Sequence, residues 1–131
     1  MLRFAKLCAA AILYMSSISP AAEPTREEAV VAMQRAVDFF RTQCAVQGGY
    51  VFRWSDDLSL REGEARVGNT TAWIEPPATP AVGSAYLNAY QLTRIEDLLE
   101  AARETAGALI HGQLMSGGWG EQIEFAQDDR Q

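Results

Sequence analysis

Residues 79–118 read TPAVGSAYLNAYQLTRIEDLLEAARETAGALIHGQLMSGG, and this stretch decides the fold that the sequence predicts. Thr79-Pro80 begins one helix, because threonine caps helices and proline is tolerated at the first helical position. This helix is predicted to end near Leu92, and the capping box Thr93-x-x-Glu96 to begin a second helix that runs to Gly117-Gly118. So short a connection predicts an αα-hairpin. Apolar residues recur at helical spacing in both segments: Val82, Ala85, Tyr86, Ala89 and Tyr90, then Leu98, Leu99, Ala102, Ala106, Leu109, Ile110 and Leu114.

Another amphipathic helix is predicted before this hairpin. It begins at the capping box Thr25-x-x-Glu28 and ends at Gly48-Gly49. Its end, Gly48-Gly49-Tyr50, resembles the end of the last helix, Gly117-Gly118-Trp119, about seventy residues later. A repeated unit made of a helix, a Gly-Gly-aromatic sequence, a loop and a second helix is typical of hairpins arrayed around an axis. The sequence therefore predicts an all-α fold of helical hairpin repeats around an axis, an array that two repeats are too few to close.

The segment from Gly49 to Ala78 has no helical period, and loops of this length are often functional. The alternation of Tyr50, Phe52 and Trp54 predicts a short strand, with Trp73-Ile74-Glu75 as its hairpin partner. Aromatic and charged side chains together are typical of a sugar-binding surface. The alternative is that the rings close the end of the helical barrel and the charges are solvated. The candidate substrate-binding residues are Tyr50, Trp54, Arg61, Glu62, Trp73 and Trp119.

The first twenty-one residues have the pattern of a cleavable signal peptide. Arg3 and Lys6 precede an apolar run, Leu7–Met15, which is too short to span a bilayer. Ser19-Pro20-Ala21 then offers small residues for cleavage after Ala21. Export to the periplasm or outside the cell is therefore expected, with no stable membrane anchor after cleavage. The mature chain would keep nine arginines against seventeen acidic residues, a net charge of −8, which argues against nucleic acid as a partner.

The sequence identifies no catalytic residues. Cys44 would be the one cysteine of the mature chain, and it falls on an apolar helix face, where a buried thiol is expected. The single histidine, His111, is interpreted as a packing or helix-dipole residue. Asp56-Asp57 and Glu62-x-Glu64 lack the spacing of a calcium loop, so no metal site is predicted.

Three segments resemble the N-terminal part of bacterial proteins of the pectic acid lyase family. They are Gly48–Glu64, Trp73–Gly83 and Glu100–Trp119, and the resemblance covers about residues 25–125. It implies an α/α toroid, an acidic polysaccharide as partner and, for active members, calcium-assisted β-elimination of polygalacturonate with an arginine as base. None of the family's catalytic or metal-binding residues maps onto this chain. Arg53, Arg61 and Arg66 are interpreted as contacts or salt-bridge partners, and residues 22–131 as the truncated N-terminal part of a toroid domain.

Two other functions stay open at this stage. The pattern Gln113-x-x-x-Gly117-x-Trp119 resembles a repeat of the terpene cyclases, which share the toroid architecture. Terpene cyclisation is the weaker prediction, because the chain is expected to be exported and its sequence has no Asp-rich ionisation motif. The other alternative is a non-catalytic periplasmic module that binds carbohydrate or acts as a scaffold.

Overall fold

A computed structural model describes residues 23–126; the predicted signal peptide, residues 1–21, lies outside them. The described part contains three α-helices and five short strands. In chain order they are α1 (Arg26–Phe39), β1 (Arg53–Trp54), β2 (Arg61–Glu62), β3 (Arg66–Val67), β4 (Thr71–Trp73), α2 (Thr79–Thr93), α3 (Glu96–Gly112) and β5 (Gln122–Glu124). A π-helical turn, Phe40–Cys44, continues α1. Among these helices, none is long and apolar enough to cross a membrane.

The predicted start of α1 is confirmed. Oγ1 of Thr25 accepts from the Glu28 amide at 3.2 Å, and the Glu28 carboxylate accepts from the Thr25 amide at 2.8 Å. This reciprocal pair satisfies two of the amides that a helix start leaves without partners. The regular helix is shorter than predicted, because it widens into the π-helical turn and ends at Ala45.

Helices α2 and α3 form the predicted hairpin, but their junction differs from the prediction. Thr93 is the last residue of α2, and its hydroxyl donates to the Ala89 carbonyl at 2.8 Å. Arg94 turns the chain in a left-handed conformation, and α3 begins at Glu96 without a side-chain cap. The predicted capping box at Thr93 is therefore wrong. The helices approach closely at Gly83, where a Cβ atom would lie 2.8 Å from Cγ2 of Thr105.

The prediction of an all-α, incomplete α/α toroid is wrong. Strands β1, β2 and β3 form one antiparallel sheet, and β4 pairs with β5 in another. Residues 53–54 pair with residues 61–62, not with residues 73–75. Strand β5, which carried no local signal, returns after α3 to place Ile123 opposite Ala72. The described residues hold a single helical hairpin, so there is no array of hairpins around an axis.

The core lies where α1 and the π-helical turn meet the α2–α3 hairpin. It joins buried residues of both helical parts with one aromatic from the loop: Val37, Cys44, Tyr50, Tyr86, Leu98 and Ala101. Cys44 is buried, as the sequence predicted. The β1–β2–β3 sheet covers one side of this core through Trp54, whose ring meets Phe40 edge-on at 5.7 Å between centroids. The sheet therefore has one face on the core and one face toward solvent.

Candidate functional site

A preorganised turn connects β1 to β2. Oδ1 of Asp57 accepts from the Ser55 hydroxyl at 2.6 Å, and from the amide and hydroxyl of Ser59 at 3.1 and 2.8 Å. These hydrogen bonds, with that from Ser55 the strongest, lower the pKa of Asp57 to about 2. Leu58 takes a left-handed conformation at the tip, with φ of 60°. The turn thus fixes how the two strands present their side chains.

The solvent-facing side of the β1–β2 hairpin carries a small pocket of about 170 Å³, which we call the hairpin pocket. It is lined by Arg53, Trp54, Ser55, Leu60 and Glu62. Nε of Arg53 lies 2.7 Å from Oε2 of Glu62, and the Arg53 side chain is 72% exposed while that of Glu62 is 33% exposed. Direct pairing of these two residues across the strands explains the contact. A guanidinium and a carboxylate therefore meet at the pocket, while the Trp54 ring packs inward on Phe40.

The other side of the hairpin buries Arg61, which is only 6% exposed. Its Nη1 donates to the Gly68 carbonyl at 3.0 Å. Its Nη2 and the Nε1 of Trp54 are enclosed and have no hydrogen-bond partner among the described residues. Burial lowers the pKa of Arg61, because a charged guanidinium is less stable away from water.

Tyr50 and Trp73, two further candidates from the sequence, lie in the interior at 1% exposure each. The Tyr50 hydroxyl shares a 2.9 Å hydrogen bond with that of Tyr86. Nε1 of Trp73 donates to Glu75 at 3.1 Å, and Gly63 lies directly against the Trp73 ring. Burial raises the pKa of Tyr50, so its hydroxyl stays protonated. In this conformation neither ring offers a surface on which a sugar could stack.

Trp119 lies apart from the hairpin pocket, after the end of α3. Trp119 is 46% exposed, and its Nε1 donates to the Leu109 carbonyl at 2.7 Å. In the same turn, the Gln113 side-chain amide donates to the Gly117 carbonyl at 2.8 Å. These bonds give the Gln-x-x-x-Gly-x-Trp pattern a local role in closing the turn. Of the six sequence candidates, Trp54, Arg61 and Glu62 lie on one hairpin, whereas Tyr50 and Trp73 meet in the interior through a backbone hydrogen bond.

A wider cleft of about 510 Å³, not expected from the sequence, lies beside α3. Its lining comes from the turn after the π-helical segment, from α3 and from the end of β5: Gln47, Gly48, Glu104, Gly107, Ala108, His111 and Phe125. His111 stacks on Phe125 with centroids 5.1 Å apart. Arg41 holds Glu104 through two hydrogen bonds of 2.5 and 3.0 Å, which raise the pKa of Arg41. The lone histidine is thus at a cleft, which its position in the sequence did not reveal.

Residues 23–126 bring no three His, Cys, Asp or Glu side chains together in a way that could hold a metal ion. Asp57, one of the acidic residues weighed as a calcium ligand, has its carboxylate engaged by Ser55 and Ser59. Comparison of the chain with family models, curated proteins and solved structures finds no match. The resemblance to the pectic acid lyase family therefore stays a prediction.

Proposed function

We propose that the protein binds an acidic polysaccharide outside the cytoplasm, as a non-catalytic carbohydrate-binding module. The observation that carries this proposal is the hairpin pocket, where the exposed Arg53 guanidinium pairs with Glu62. The signal-peptide pattern of residues 1–21 supports an exported protein. The exposed Arg53 supplies the local positive charge that a polyanion needs on a chain of negative net charge.

The chemistry of binding follows from the Arg53–Glu62 pair. A guanidinium binds a carboxylate through a planar fork of N–H donors, so Arg53 can accept a uronate carboxylate in the place of Glu62. An exposed ion pair contributes little stability, which makes such an exchange inexpensive. The pocket is smaller than the roughly 300–1,000 Å³ of drug-sized sites, so it would hold one sugar ring of a chain. Leu60, an exposed lining residue of the pocket, supplies apolar surface for that ring.

Changes at this pair should move the affinity for oligogalacturonate in opposite directions. Arg53→Ala is expected to weaken binding about tenfold or more, because it removes charge-assisted hydrogen bonds. Glu62→Gln is expected to tighten it, because a competing carboxylate is removed while the side-chain shape is kept. Isothermal titration calorimetry with the full chain measures both.

Arg103→Ala is the matched control, since Arg103 is an exposed arginine on α3 that pairs with Glu100 at 3.4 Å, outside the pocket. It changes the net charge equally and should leave the affinity unchanged. Equal losses for Arg53→Ala and Arg103→Ala would mean that only net charge matters. No binding by the unmodified chain would refute the proposed function.

A second candidate is β-elimination of the same polymer, which the family resemblance implies. Arg61 is not a candidate for the base, because it is only 6% exposed and its side chain faces inward, where it donates to the Gly68 carbonyl. The residues described bring no calcium site together, so no step is assigned to that ion. The expected result is a rise in unsaturated-uronate absorbance when polygalacturonate is incubated with the full chain. Unchanged absorbance with the full chain, with and without added calcium, would exclude this candidate.

A further inference from the structure

The cleft of about 510 Å³ beside α3, which we call the α3 cleft, takes one wall from a single face of that helix. The residues of this wall follow each other at the three- and four-residue steps that bring side chains onto one side of a helix: Glu104, Gly107, Ala108 and His111. Glu104 and His111 lie two turns apart, about 10 Å along the axis. Between them are only a glycine and an alanine. The wall therefore has a polar group at each end and a flat middle.

A second wall of the α3 cleft comes from the tight turn of residues 46–49. The residues at its ends exchange two backbone hydrogen bonds of 2.9 and 2.8 Å, and the two residues between them, Gln47 and Gly48, both have positive φ. Turns of this kind favour asparagine, aspartate or glycine, and a glutamine with φ of 47° costs conformational energy. The turn nevertheless holds an exposed Gln47 at the cleft. Its side chain adds an amide donor and an acceptor to the lining.

The carboxylate at the α3 cleft is balanced within the chain. Arg41 neutralises Glu104 through hydrogen bonds of 2.5 and 3.0 Å. A carboxylate has about four lone-pair positions, so these two bonds leave acceptor positions for a ligand, and the Glu104 side chain is 43% exposed. An anionic ligand would be repelled by this carboxylate, and a cationic one would meet a charge that Arg41 already balances. The cleft therefore suits a neutral ligand that donates hydrogen bonds.

His111 and Phe125 form an aromatic wall. Their rings stack with centroids 5.1 Å apart and planes inclined by 22°. Stacking holds the plane of the exposed imidazole, whose neutral form offers one hydrogen-bond donor and one acceptor. Small-molecule sites typically combine apolar surface with a few convergent polar groups. A sugar ring matches this lining, because its hydroxyl groups lie around its edge while its faces carry C–H groups.

We propose that the α3 cleft binds one neutral sugar ring, a hexose. Its hydroxyl groups bond Gln47, Glu104 and His111. One of its C–H faces lies over the flat middle of the helix wall at Gly107. The volume of the cleft falls within the roughly 300–1,000 Å³ of small-molecule sites. This site goes beyond the acidic polysaccharide proposed above, because it takes an uncharged sugar and shares no lining residue with the hairpin pocket.

NMR on the untagged full chain gives a direct test, because His111 is the only histidine of the sequence and its imidazole signals are unique. Galactose, glucose and mannose are the probes. At least one of them should move the His111 signals in a saturable way, with a Kd on the order of millimolar for so small a ligand. The indole signal of Trp54, which packs on Phe40 away from the cleft, should stay in place. No movement with any of the three sugars would overturn the proposal.

The uronic acid of the hexose that binds tests the charge of the ligand, because the two sugars differ only by a carboxylate at C6. The uronate should need at least a tenfold higher concentration for half-saturation. Equal or tighter binding of the uronate would refute a neutral site. Arg53→Ala, which removes the cation of the hairpin pocket, should leave hexose binding unchanged, so failure of one proposal is distinguishable from failure of the other.

Gly107→Leu blocks the α3 cleft without touching its polar groups. A Cβ atom at Gly107 would meet nothing within 4 Å, so a leucine side chain has room to extend into the cleft, and leucine favours a helix more than glycine does. Hexose binding should weaken at least tenfold while Tm is unchanged or higher. Ala106→Leu is the matched control, because Ala106 is its exposed neighbour on α3 and does not line the cleft. Equal hexose affinities of the two variants would refute the site.

Gln47→Gly keeps the test decisive if Gly107→Leu lowers Tm. Glycine adopts the positive φ of this position without strain, so the variant should unfold at the same temperature as the unmodified chain or at a higher one. It lacks the side-chain amide, and the hexose concentration at half-saturation should rise about fivefold to tenfold, the usual effect of losing one hydrogen bond. An unchanged half-saturation concentration would contradict a site that uses Gln47.

Discussion

Replacing Gly48 with alanine should lower the free energy of unfolding by roughly 2–5 kcal/mol, the combined cost of a left-handed alanine and of overpacking. Gly48 has φ of 80°, and a Cβ atom there would overlap the backbone carbonyl of Glu104 in α3. Backbone atoms of a helix cannot move aside as a side chain can. The substitution should therefore separate the turn after the π-helical segment from α3. Urea unfolding followed by circular dichroism measures the change.

Gly117→Ala is the matched control for this prediction. Gly117 has nearly the same conformation, with φ of 86°, but a Cβ atom there would meet nothing within 4 Å. Only the conformational cost of roughly 1–2 kcal/mol should remain. Equal losses at the two positions would mean that the contact with Glu104 does not matter. The sequence alone treats these glycines as equivalents in a repeat, and the structure makes them different.

Local signals in the sequence predicted the helices well. Thr25-x-x-Glu28 begins α1, because it satisfies amides at the helix start. Thr79-Pro80 also begins α2, but the prediction that Thr79 caps it is wrong: the cap position is Ala78, and the Thr79 hydroxyl bonds the Tyr50 backbone. The same reasoning was wrong at Thr93, whose hydroxyl bonds backward to Ala89 and ends a helix. A threonine hydroxyl can accept from an amide that follows it and begin a helix, or donate to a carbonyl that precedes it at the end of one. Only the path of the following residues decides between the two bonds.

The sheets were not predictable in the same way. Strand β5 pairs with β4 across about fifty residues, and both are too short to show a period of their own. Their pairing depends on how α3 directs the chain back, with Ile123 packing against Gly112. Without β5, a Gly-Gly-aromatic sequence after a helix looked like the start of another hairpin, and this led to the incorrect toroid.

The candidate site was predictable in composition but not in arrangement. Mixed aromatic and charged residues between the helices indicated a surface, and Glu62 does line a pocket there. Strand alternation then decides which residue faces outward: Arg53 and Glu62 do, whereas Arg61 turns inward. That choice depends on the register of strands two residues long. Composition alone could not distinguish the exposed arginine from the buried one.

Trp73→Ala is the second prediction with a large effect, and it separates a core residue from a binding residue. Trp73 is almost fully buried, packs on Phe52 with centroids 5.6 Å apart, and donates its backbone amide to the Tyr50 carbonyl at 2.8 Å. Truncation of a buried tryptophan costs roughly 3–5 kcal/mol, a large part of the roughly 5–15 kcal/mol that holds a domain folded. Unfolding of the variant in urea should therefore begin at a much lower concentration.

Trp119→Ala is the control, because Trp119 is 46% exposed and one hydrogen bond to Leu109 holds its ring. Its loss should cost about 1 kcal/mol. If Trp73→Ala left the unfolding curve in place and abolished oligogalacturonate binding, Trp73 would be a ligand contact and the buried arrangement would have to open in solution. If Trp73→Ala is destabilised as expected, its loss of oligogalacturonate binding reflects only the loss of the fold. The test of polysaccharide binding then depends on Arg53 and Glu62, whose exposed side chains can change without disturbing the core.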